Sequence, residues 1–252
     1  RAYGSIDALI AGERARPDGA ELIAIVTPNH LHFAAAQAAL EAGFSVMSDK
    51  PATATLEQAL ALRDIAAGAS GHYGLTYTYT GYPMVREARE RIAADEIGTP
   101  RKVVVEYFQG WLAKAVEQDG NKQAVWRADP AQAGMGGCIA DIGVHAFNLA
   151  EFITGATIVE VKAQLESVVA GRIVDDDCTI LTRYDNGASG YIAASQVAIG
   201  DRNALSIRVY GDRGAIAWQH EQPDRLTLTA ENGTQTILWA GACALGAGGG
   251  AG

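Results

Sequence analysis

The first 80 residues alternate short apolar runs with longer segments of helical periodicity. The apolar runs suit parallel strands that are covered on both faces, and they are residues 22–26, 44–48 and 72–77. The helical segments are residues 31–42 and 56–67. Gly43 is placed to end the first of these helices, and Thr55 with Gln58 forms a capping-box pattern at the start of the second. This β-α-β-α-β order predicts a doubly wound parallel sheet.

From about Lys102 the chain consists of strand-like runs joined by turn signals. Glycine supplies the positive φ that such tight turns need, at residues 185–187, 212–214 and 231–233. The predicted strands are residues 102–107, 158–167, 179–183, 188–197, 205–210, 215–219, 226–230 and 236–239. Helices are predicted at 83–94, as a link, and at 137–152. We therefore divide the chain into an α/β domain over residues 1–80 and an α+β domain with a mainly antiparallel sheet over residues 81–252.

The composition describes an ordinary globular protein with an acidic surface. The chain has 252 residues, 48% hydrophobic residues, a net charge of −9 and a pI near 5.0. An acidic surface disfavours nucleic-acid and anionic-membrane partners, and no apolar stretch is long enough to span a bilayer. The three cysteines, Cys138, Cys178 and Cys243, follow no CxxC spacing and are odd in number. Free thiols in a reducing compartment such as the cytoplasm are the expectation.

Two polar loops follow successive predicted strands of the first domain. In open α/β sheets, ligands bind beyond the carboxyl ends of the strands. The loops have the sequences Thr-Pro-Asn-His at residues 27–30 and Asp-Lys-Pro at residues 49–51. Both loops are therefore candidates for one ligand-binding crevice. The alternative is that they are ordinary strand-to-helix turns, where proline and asparagine are common.

Asp141 and His145 lie four residues apart on a predicted helix, so they should share one face. A carboxylate beside an imidazole can fix its tautomer and raise its basicity, which suits general base catalysis. A surface pair with a structural role is the alternative. His30 and His32 are conceivable metal ligands, but no further ligands stand at a recognisable spacing, so no metal site is predicted.

Glycines and aromatic residues mark the segments between the two domains. Gly134, Gly136 and Gly137 precede the predicted helix, where they permit either a close backbone approach to a ligand or simple flexibility. Aromatic faces suit the C–H faces of sugars and also fill cores. The aromatic residues in these segments are Tyr77, Tyr79, Tyr82, Trp111 and Trp126.

Taken together, these motifs resemble those of the Gfo/Idh/MocA oxidoreductases. The matching segments, in order, are Thr-Pro-Asn-x-x-His at 27–32, Ala-Leu-x-Ala-Gly at 39–43, Asp-Lys-Pro at 49–51, Trp-Arg at 126–127, Gly-Gly at 136–137 and Asp-x-Gly-x-His at 141–145. The resemblance implies a Rossmann dinucleotide-binding domain and a second domain whose open-faced sheet serves substrate binding and oligomer contacts. It also implies NAD- or NADP-dependent oxidation of sugars or polyols, with levoglucosan and inositol dehydrogenases as the suggested comparisons.

The resemblance also implies roles for individual residues. The catalytic residues would be Lys50, Asp141 and His145. The cofactor would be bound by Thr27, Pro28, Asn29, His32, Asp49, Lys50 and Pro51. The substrate would be bound by Tyr79, Trp126, Arg127, Asp141 and His145. A homo-oligomer, a dimer or tetramer, would form through the antiparallel sheet.

The sequence departs from the family pattern in two respects. Asp49 stands where the family has glutamate, so its contact to the cofactor would be altered. The first β-α-β unit with its glycine-rich phosphate loop would precede Arg1, and a final segment of the second domain would follow, so we expect a chain truncated at both ends and inactive alone. The choice between NAD and NADP stays open. So do two other functions, a glycosidase that uses bound NAD and a non-catalytic nucleotide-binding regulator.

Overall fold

A computed structural model describes residues 1–241 as two compact units. The first comprises Arg1–Thr76 and Asn121–Gly137, and the second comprises Tyr77–Gly120 and the chain from Cys138 onward. The third cysteine, Cys243, lies outside the described residues. The division into residues 1–80 and 81–252 remains a prediction, and the segment from Asn121 to Gly137 is grouped with the first unit rather than the second.

The elements follow one another in the predicted alternation. The α-helices are α1 (Ile6–Arg14), α2 (His32–Glu41), α3 (Leu56–Gly68), α4 (Pro83–Ala93), α5 (Lys122–Arg127), α6 (Pro130–Ala133) and α7 (Val144–Thr154). The strands are β1 (Leu22–Ile25), β2 (Ser45–Ser48), β3 (Tyr73–Leu75), β4 (Pro100–Phe108), β5 (Ile158–Glu166), β6 (Asp177–Tyr184), β7 (Ser189–Ser195), β8 (Ala204–Gly211), β9 (Gly214–Gln219), β10 (Arg225–Ala230) and β11 (Gln235–Trp239). Short 3₁₀ turns occur at Asn29–Leu31 and Thr78–Gly81, and a π-helix precedes α7 at Ile139–Gly143.

The first unit contains a parallel sheet of β1, β2 and β3 in that order, as predicted. Its core is formed by apolar residues of the strands, of α2 and α3, and of the turn before β2, namely Ile23, Ile25, Ala36, Ala39, Leu40, Phe44, Val46 and Leu62. Helix α3 begins where the capping pattern placed it, because the Thr55 side chain accepts the N–H of Gln58 at 3.3 Å. Gly43, with φ of 86°, follows the end of α2. The doubly wound α/β prediction is confirmed.

Three short helices were not predicted, namely α1, α5 and α6. Helix α1 has no fully buried residue, although Ile6, Leu9 and Ile10 follow helical spacing and pack, partly buried, against the core of the first unit. Its start is fixed by Ser5, whose hydroxyl accepts the Ala8 N–H at 3.2 Å. Asn121 and Asp129 cap α5 and α6 in the same way. In such short helices the cap is the main local signal.

The second unit is built on an eight-stranded sheet with the order β11-β10-β9-β8-β4-β7-β6-β5. All neighbouring strands are antiparallel except β4 and β7, which pair in parallel with Lys102 opposite Ser189. The prediction of a mainly antiparallel sheet is confirmed, and the parallel pair is a departure that no turn signal indicated. Strand β4 therefore lies in the interior of the sheet although it comes first in sequence.

One face of this sheet is covered and the other is open. Helices α4 and α7 pack on the covered face, where their apolar residues join those of the strands in a single core. The open face carries exposed apolar side chains, including Leu181, Tyr210 and Ile237, of which Leu181 is 57% exposed. The open-faced sheet is confirmed. No helix among residues 1–241 has the length and hydropathy that crossing a membrane would require.

The predicted helix over residues 137–152 is wrong in its first part. Residues Ile139–Gly143 form a π-helix, and the α-helix proper begins at Val144. It ends at Gly155, which has φ of 67° and caps it in the left-handed region. The π turn inserts an extra residue into the helical path, so α-helical spacing cannot be assumed across it.

Candidate active site

The loop after β1 is held within the first unit by Asn29 and His30. Asn29 is buried, and its Nδ2 donates to the Ala133 carbonyl at 2.8 Å. The exposed His30 places Nδ1 3.3 Å from the Gln132 carbonyl. The amide of Asn29 thus fixes the loop to α6. The predicted contact between Asn29 and a cofactor stays a prediction.

His32 connects the two polar loops that follow β1 and β2. The ring is fully buried, with Nε2 2.7 Å from the Thr27 carbonyl and Nδ1 2.8 Å from the Pro51 carbonyl. The structure therefore brings the loops together at the carboxyl edge of the sheet, where a ligand of an open α/β sheet binds. His32 contacts the backbones of both loops, which gives it a role in shaping this edge.

Asp49 and Lys50 lie in the loop after β2. The Asp49 carboxylate accepts the Thr76 hydroxyl at 2.6 Å, and its N–H donates to the Ile25 carbonyl at 2.8 Å. The loop is thereby tied to the ends of both β1 and β3. Lys50 is half-buried and precedes a cis peptide bond to Pro51. The side chain of Asp49, which is shorter than the glutamate of the family pattern, thus has the Thr76 hydroxyl as its partner.

Trp126 and Arg127 form a stacked pair at the end of α5. The Arg127 guanidinium carbon lies 4.2 Å from the centroid of the Trp126 ring, a cation–π contact. Arg127 Nη1 also donates to Gln123 Oε1 at 2.6 Å. Both residues belong to the first unit, and their contact with a substrate stays a prediction.

One of the three predicted glycines is required by a close approach of backbone to backbone. Gly134 has φ of 93°, and a Cβ at this position would lie 2.7 Å from the Ala54 carbonyl oxygen. A side chain would be strained there both in conformation and in space. The glycine therefore allows the segment after α6 to pack on residues that precede α3.

Asp141 lies within the π turn of the second unit, and His145 lies in the first turn of α7 that follows it. His145 is 8% exposed, and its ring packs edge-on against Tyr79 and Tyr77 with centroid separations of 4.9 and 5.9 Å. Asp141 Oδ2 accepts the Gln196 amide at 2.9 Å. Both are near Tyr107, whose ring centroid is 6.3 Å from that of His145. Burial, the Tyr79 hydroxyl and the Asp141 charge raise the pKa of Tyr107 well above its usual range.

A hydrogen-bonded cluster that the sequence did not indicate surrounds Tyr79. The Tyr79 and Tyr107 hydroxyls are hydrogen-bonded to each other. Tyr107 donates to Asn203 Oδ1 at 2.6 Å, and Asn203 Nδ2 lies 3.1 Å from the Tyr79 hydroxyl and 3.2 Å from Nδ1 of His220. Gln109 Nε2 donates to the same Asn203 oxygen at 2.8 Å. The Tyr79 ring beside His145 is therefore fixed by polar partners, as a positioned substrate-binding group would be.

Cys138 and Cys178 are free thiols, as predicted, but they are not remote from each other. Both are buried in the same hydrophobic core of the second unit. The Cys178 thiol and burial together raise the pKa of Cys138, so this thiol stays protonated. The pair packs in the core beneath the π turn. Among residues 1–241 there is no group of three or more His, Cys, Asp or Glu side chains that could hold a metal ion.

Comparisons with known proteins match both halves of the chain. The model of an oxidoreductase family with an NAD-binding Rossmann fold matches residues 1–77, and that of the GFO/IDH/MocA C-terminal domain matches residues 85–217. The chain is similar to the uncharacterized oxidoreductase YfiI of Bacillus subtilis, at 31% identity over 92% of this chain and 59% of that protein. It is also similar to levoglucosan dehydrogenase of Pseudarthrobacter phenanthrenivorans, at 28% identity over 82% of this chain and 57% of that protein.

A similar fold occurs in the crystal structure of an inositol dehydrogenase homolog from Azotobacter vinelandii complexed with NAD⁺. The TM-score is 0.95 at 34% identity, over 99% of this chain and 64% of that chain. The chain thus spans less than two thirds of the length of these relatives.

Proposed function

Because the chain belongs to the Gfo/Idh/MocA oxidoreductase family, we propose that the whole protein is an NAD(P)-dependent dehydrogenase. It transfers a hydride between a secondary hydroxyl carbon of a sugar or polyol and the nicotinamide. The observation that carries the proposal is the placement of Asp141 in the π turn and of His145 in the helical turn after it, with the His145 ring packed against Tyr79 and the Asp141 carboxylate bonded to Gln196. A base and a carboxylate held in this way suit proton transfer from a hydroxyl group.

In this proposal His145 takes the hydroxyl proton, because a neutral imidazole is a base matched to neutral pH. Asp141 orients His145 or accepts a neighbouring substrate hydroxyl. Lys50 donates to the reacting oxygen and stabilises the alkoxide that develops as the proton leaves. The roles of all three residues come from the family resemblance together with their chemistry.

The residues at the carboxyl edge of the first sheet fit a nicotinamide cofactor. The two loops that His32 connects offer an exposed Thr27 and a half-buried Lys50 beside backbone groups, which suits the polar ribose side of a nucleotide. The cofactor, NAD or NADP, supplies the hydride acceptor. Its contacts are assigned to Thr27, Pro28, Asn29, Asp49, Lys50 and Pro51, with His32 acting through the two loop backbones.

The substrate is proposed to be a polyhydroxylated ring. Tyr79 presents an aromatic ring that is fixed by its hydrogen bonds, and Trp126 stacked on Arg127 joins an apolar face to hydrogen-bond donors. Such combinations suit sugars and inositols, which have apolar C–H faces and many hydroxyl groups. Relatives named as dehydrogenases of levoglucosan, D-xylose and scyllo-inositol support this class.

A panel of alcohols tests the proposed reaction. The whole protein, supplied with NAD or NADP, is expected to oxidise at least one sugar or inositol and to leave ethanol and 2-propanol essentially unchanged. The reason is that a site of several polar groups rejects a substrate that leaves those groups unpaired. The measurement is the absorbance of the reduced nicotinamide. Faster turnover of a simple alcohol than of every polyol would contradict the proposal.

The same assay separates the alternatives. A glycosidase that uses bound NAD would cleave a glycoside without net accumulation of reduced cofactor. A non-catalytic regulator would bind a nucleotide and turn over no substrate in the panel. Asp141, His145 and Lys50 occurring together favour the dehydrogenase, since a regulator needs none of them.

The open face of the second sheet is proposed as the contact between subunits of a homo-oligomer. Exposed apolar side chains on this face, such as Leu181, Tyr210 and Ile237, support this assembly, because burying them against a second subunit is favourable. Sedimentation of the whole protein is expected to show a dimer or tetramer, and a monomer at micromolar concentration would contradict it.

The free thiols Cys138 and Cys178 support a reducing compartment such as the cytoplasm.

A further inference from the structure

A group of buried polar side chains lies around the helix start that carries Asp141, and the proposed reaction leaves it without a role. Its central members are Arg172, Asp176 and Gln196, all buried within the second unit. Buried polar groups destabilise a fold unless they are hydrogen-bonded. The hydrogen-bond partners of these three side chains therefore show which parts of the second unit they hold in place.

Gln196 contacts Asp141 directly. It follows the end of β7, is only 2% exposed, and its Nε2 donates to Asp141 Oδ2 at 2.9 Å. A hydrogen bond from a buried amide to a carboxylate fixes the rotation of that carboxylate, because the donor has no room to follow it elsewhere. The orientation of Asp141 thus depends on the position of Gln196.

Gln196 is held through its backbone on two sides. Its N–H donates to the Asp176 carbonyl at 2.8 Å, and its carbonyl accepts the Leu112 N–H at 3.1 Å. Arg172 Nη1 donates both to the Leu112 carbonyl at 3.0 Å and to Asp176 Oδ2 at 2.9 Å. A single guanidinium group therefore ties together the two residues that hold Gln196.

The guanidinium is itself fully engaged. Arg172 Nε and Nη2 donate to the two Glu117 carboxylate oxygens at 3.1 and 2.9 Å, a bidentate pair. The Asp176 carboxylate also accepts the N–H groups of Val168 and Val169 at 2.7 and 3.0 Å. We call Arg172, Asp176 and Glu117 the arginine cluster. It joins the loop between β5 and β6 to the segment that follows β4, on either side of Gln196.

The residue next to this cluster holds the helix start. The Asp175 carbonyl accepts the Cys138 N–H at 2.7 Å, and Asp175 Oδ2 accepts the Ile139 N–H at 2.7 Å. The residue that precedes the π turn, Cys138, makes no side-chain capping bond of its own. The first N–H groups of the helix are therefore satisfied from outside it, by the segment that the arginine cluster anchors.

We propose that Gln196 is a positioning residue for Asp141 and that the arginine cluster fixes Gln196. The inference rests on the proposed function, in which Asp141 orients His145 or accepts a substrate hydroxyl. A carboxylate in either role works only in a narrow range of orientations, so a group that fixes its rotation contributes to the rate.

Replacing Gln196 with methionine in the whole protein tests the inference, because it keeps the length of the side chain and removes the donor. Loss of a hydrogen bond to a charged group lowers kcat/KM for the polyol by about 10- to 100-fold, while KM for the cofactor changes little. Gln196→Glu places a second carboxylate beside Asp141 and is expected to lower kcat/KM at least as much as Gln196→Met does. Gln219→Met is the matched control, since Gln219 is exposed at the end of β9.

A double-mutant cycle distinguishes positioning from a general structural role. The Asp141→Asn, Gln196→Met double variant should be no slower than Asp141→Asn alone, because the Gln196 amide acts only through the carboxylate. Additive losses, or a Gln196→Met variant with unchanged kcat/KM, would overturn the inference. Crystal structures give a readout without activity: the Asp141 carboxylate should be rotated in Gln196→Met, and an unmoved carboxylate would overturn the inference too. If the unaltered protein oxidises no sugar or polyol, the proposed function fails while this structural comparison still decides the role of Gln196.

Discussion

Replacing His145 with alanine in the whole protein is expected to lower kcat by at least about 10²-fold, because loss of a positioned general base typically costs 10²–10⁴-fold. His145 is nearly buried and packs edge-on against Tyr79, so its imidazole is held in one orientation. The cofactor affinity is expected to change little, since the proposed role of His145 is confined to the substrate hydroxyl. Steady-state kinetics with a sugar or inositol and direct cofactor titration measure the two quantities.

Lys50→Met is expected to lose a similar factor, since it removes the donor that is proposed to stabilise the developing alkoxide. The variant that lacks both side chains should lose far less than the product of the single losses, because the proposed function has both residues act on one substrate hydroxyl. His72→Ala and Lys122→Met are matched controls at exposed positions and should stay near the unaltered rate. A near-normal kcat in His145→Ala would end its assignment as the base, and Asp141 or Lys50 would then be the residue to examine.

The largest loss of stability is expected on replacing Arg172 with methionine. The side chains of Arg172 and Asp176 are 2% and 1% exposed, so the substitution leaves buried carboxylates without their cation. Breaking a buried ion pair from one side typically costs about 3–5 kcal/mol. Chemical denaturation of the whole protein measures this change in the free energy of unfolding. Arg63→Met is the matched control, since the Arg63–Asp64 pair is 68% and 70% exposed and should cost less than about 1 kcal/mol.

The pH dependence of the difference in unfolding free energy between the unaltered protein and Arg172→Met provides a second test. Although burial disfavours the charged form of Glu117, the Arg172 guanidinium holds the pKa of that carboxyl below its usual value of 4.5. A lowered pKa contributes stability above the unfolded-state value and loses it as the pH falls through the folded-state value. The difference in unfolding free energy between the unaltered protein and Arg172→Met should therefore become smaller below about pH 4.5. A small difference in unfolding free energy at neutral pH would contradict the role given to the arginine cluster.

Most of the fold could be predicted because its signals are local. Residues 205–210 alternate apolar and polar side chains between turn-forming glycines, and strand β8 is found at Ala204–Gly211. The parallel pairing of β4 with β7 could not be predicted, because the choice of partner depends on side chains from both strands and not on either sequence alone. The π turn at Ile139–Gly143 was missed for a related reason, since the same residues can form a regular α-helix.

The candidate site was predictable only where a short motif carries it. Lys50 and the Asp141–His145 pair stand in recognisable spacings, whereas Asn203, His220 and Gln196 follow or lie between strands and belong to no motif. Tyr107 shares the inward face of β4 with Val103 and Val105, so from the sequence it resembles a core residue. Its partner Asn203 lies 3.1 Å from the Tyr79 hydroxyl only because folding brings together segments that are distant in sequence.

The interior position of β4 has a consequence for how the protein is made. On the ribosome, β4 emerges long before β7 and β8, the strands that pair with its two edges. At a synthesis rate of about 5–20 residues per second, both edges of the β4 segment lack their partners for roughly 5–20 s. The segment contains Val103, Val104 and Val105 in a row, and such a strand with open edges is prone to aggregate. We therefore expect a newly made chain to be most prone to aggregate through β4 before residues up to Gly211 have been added.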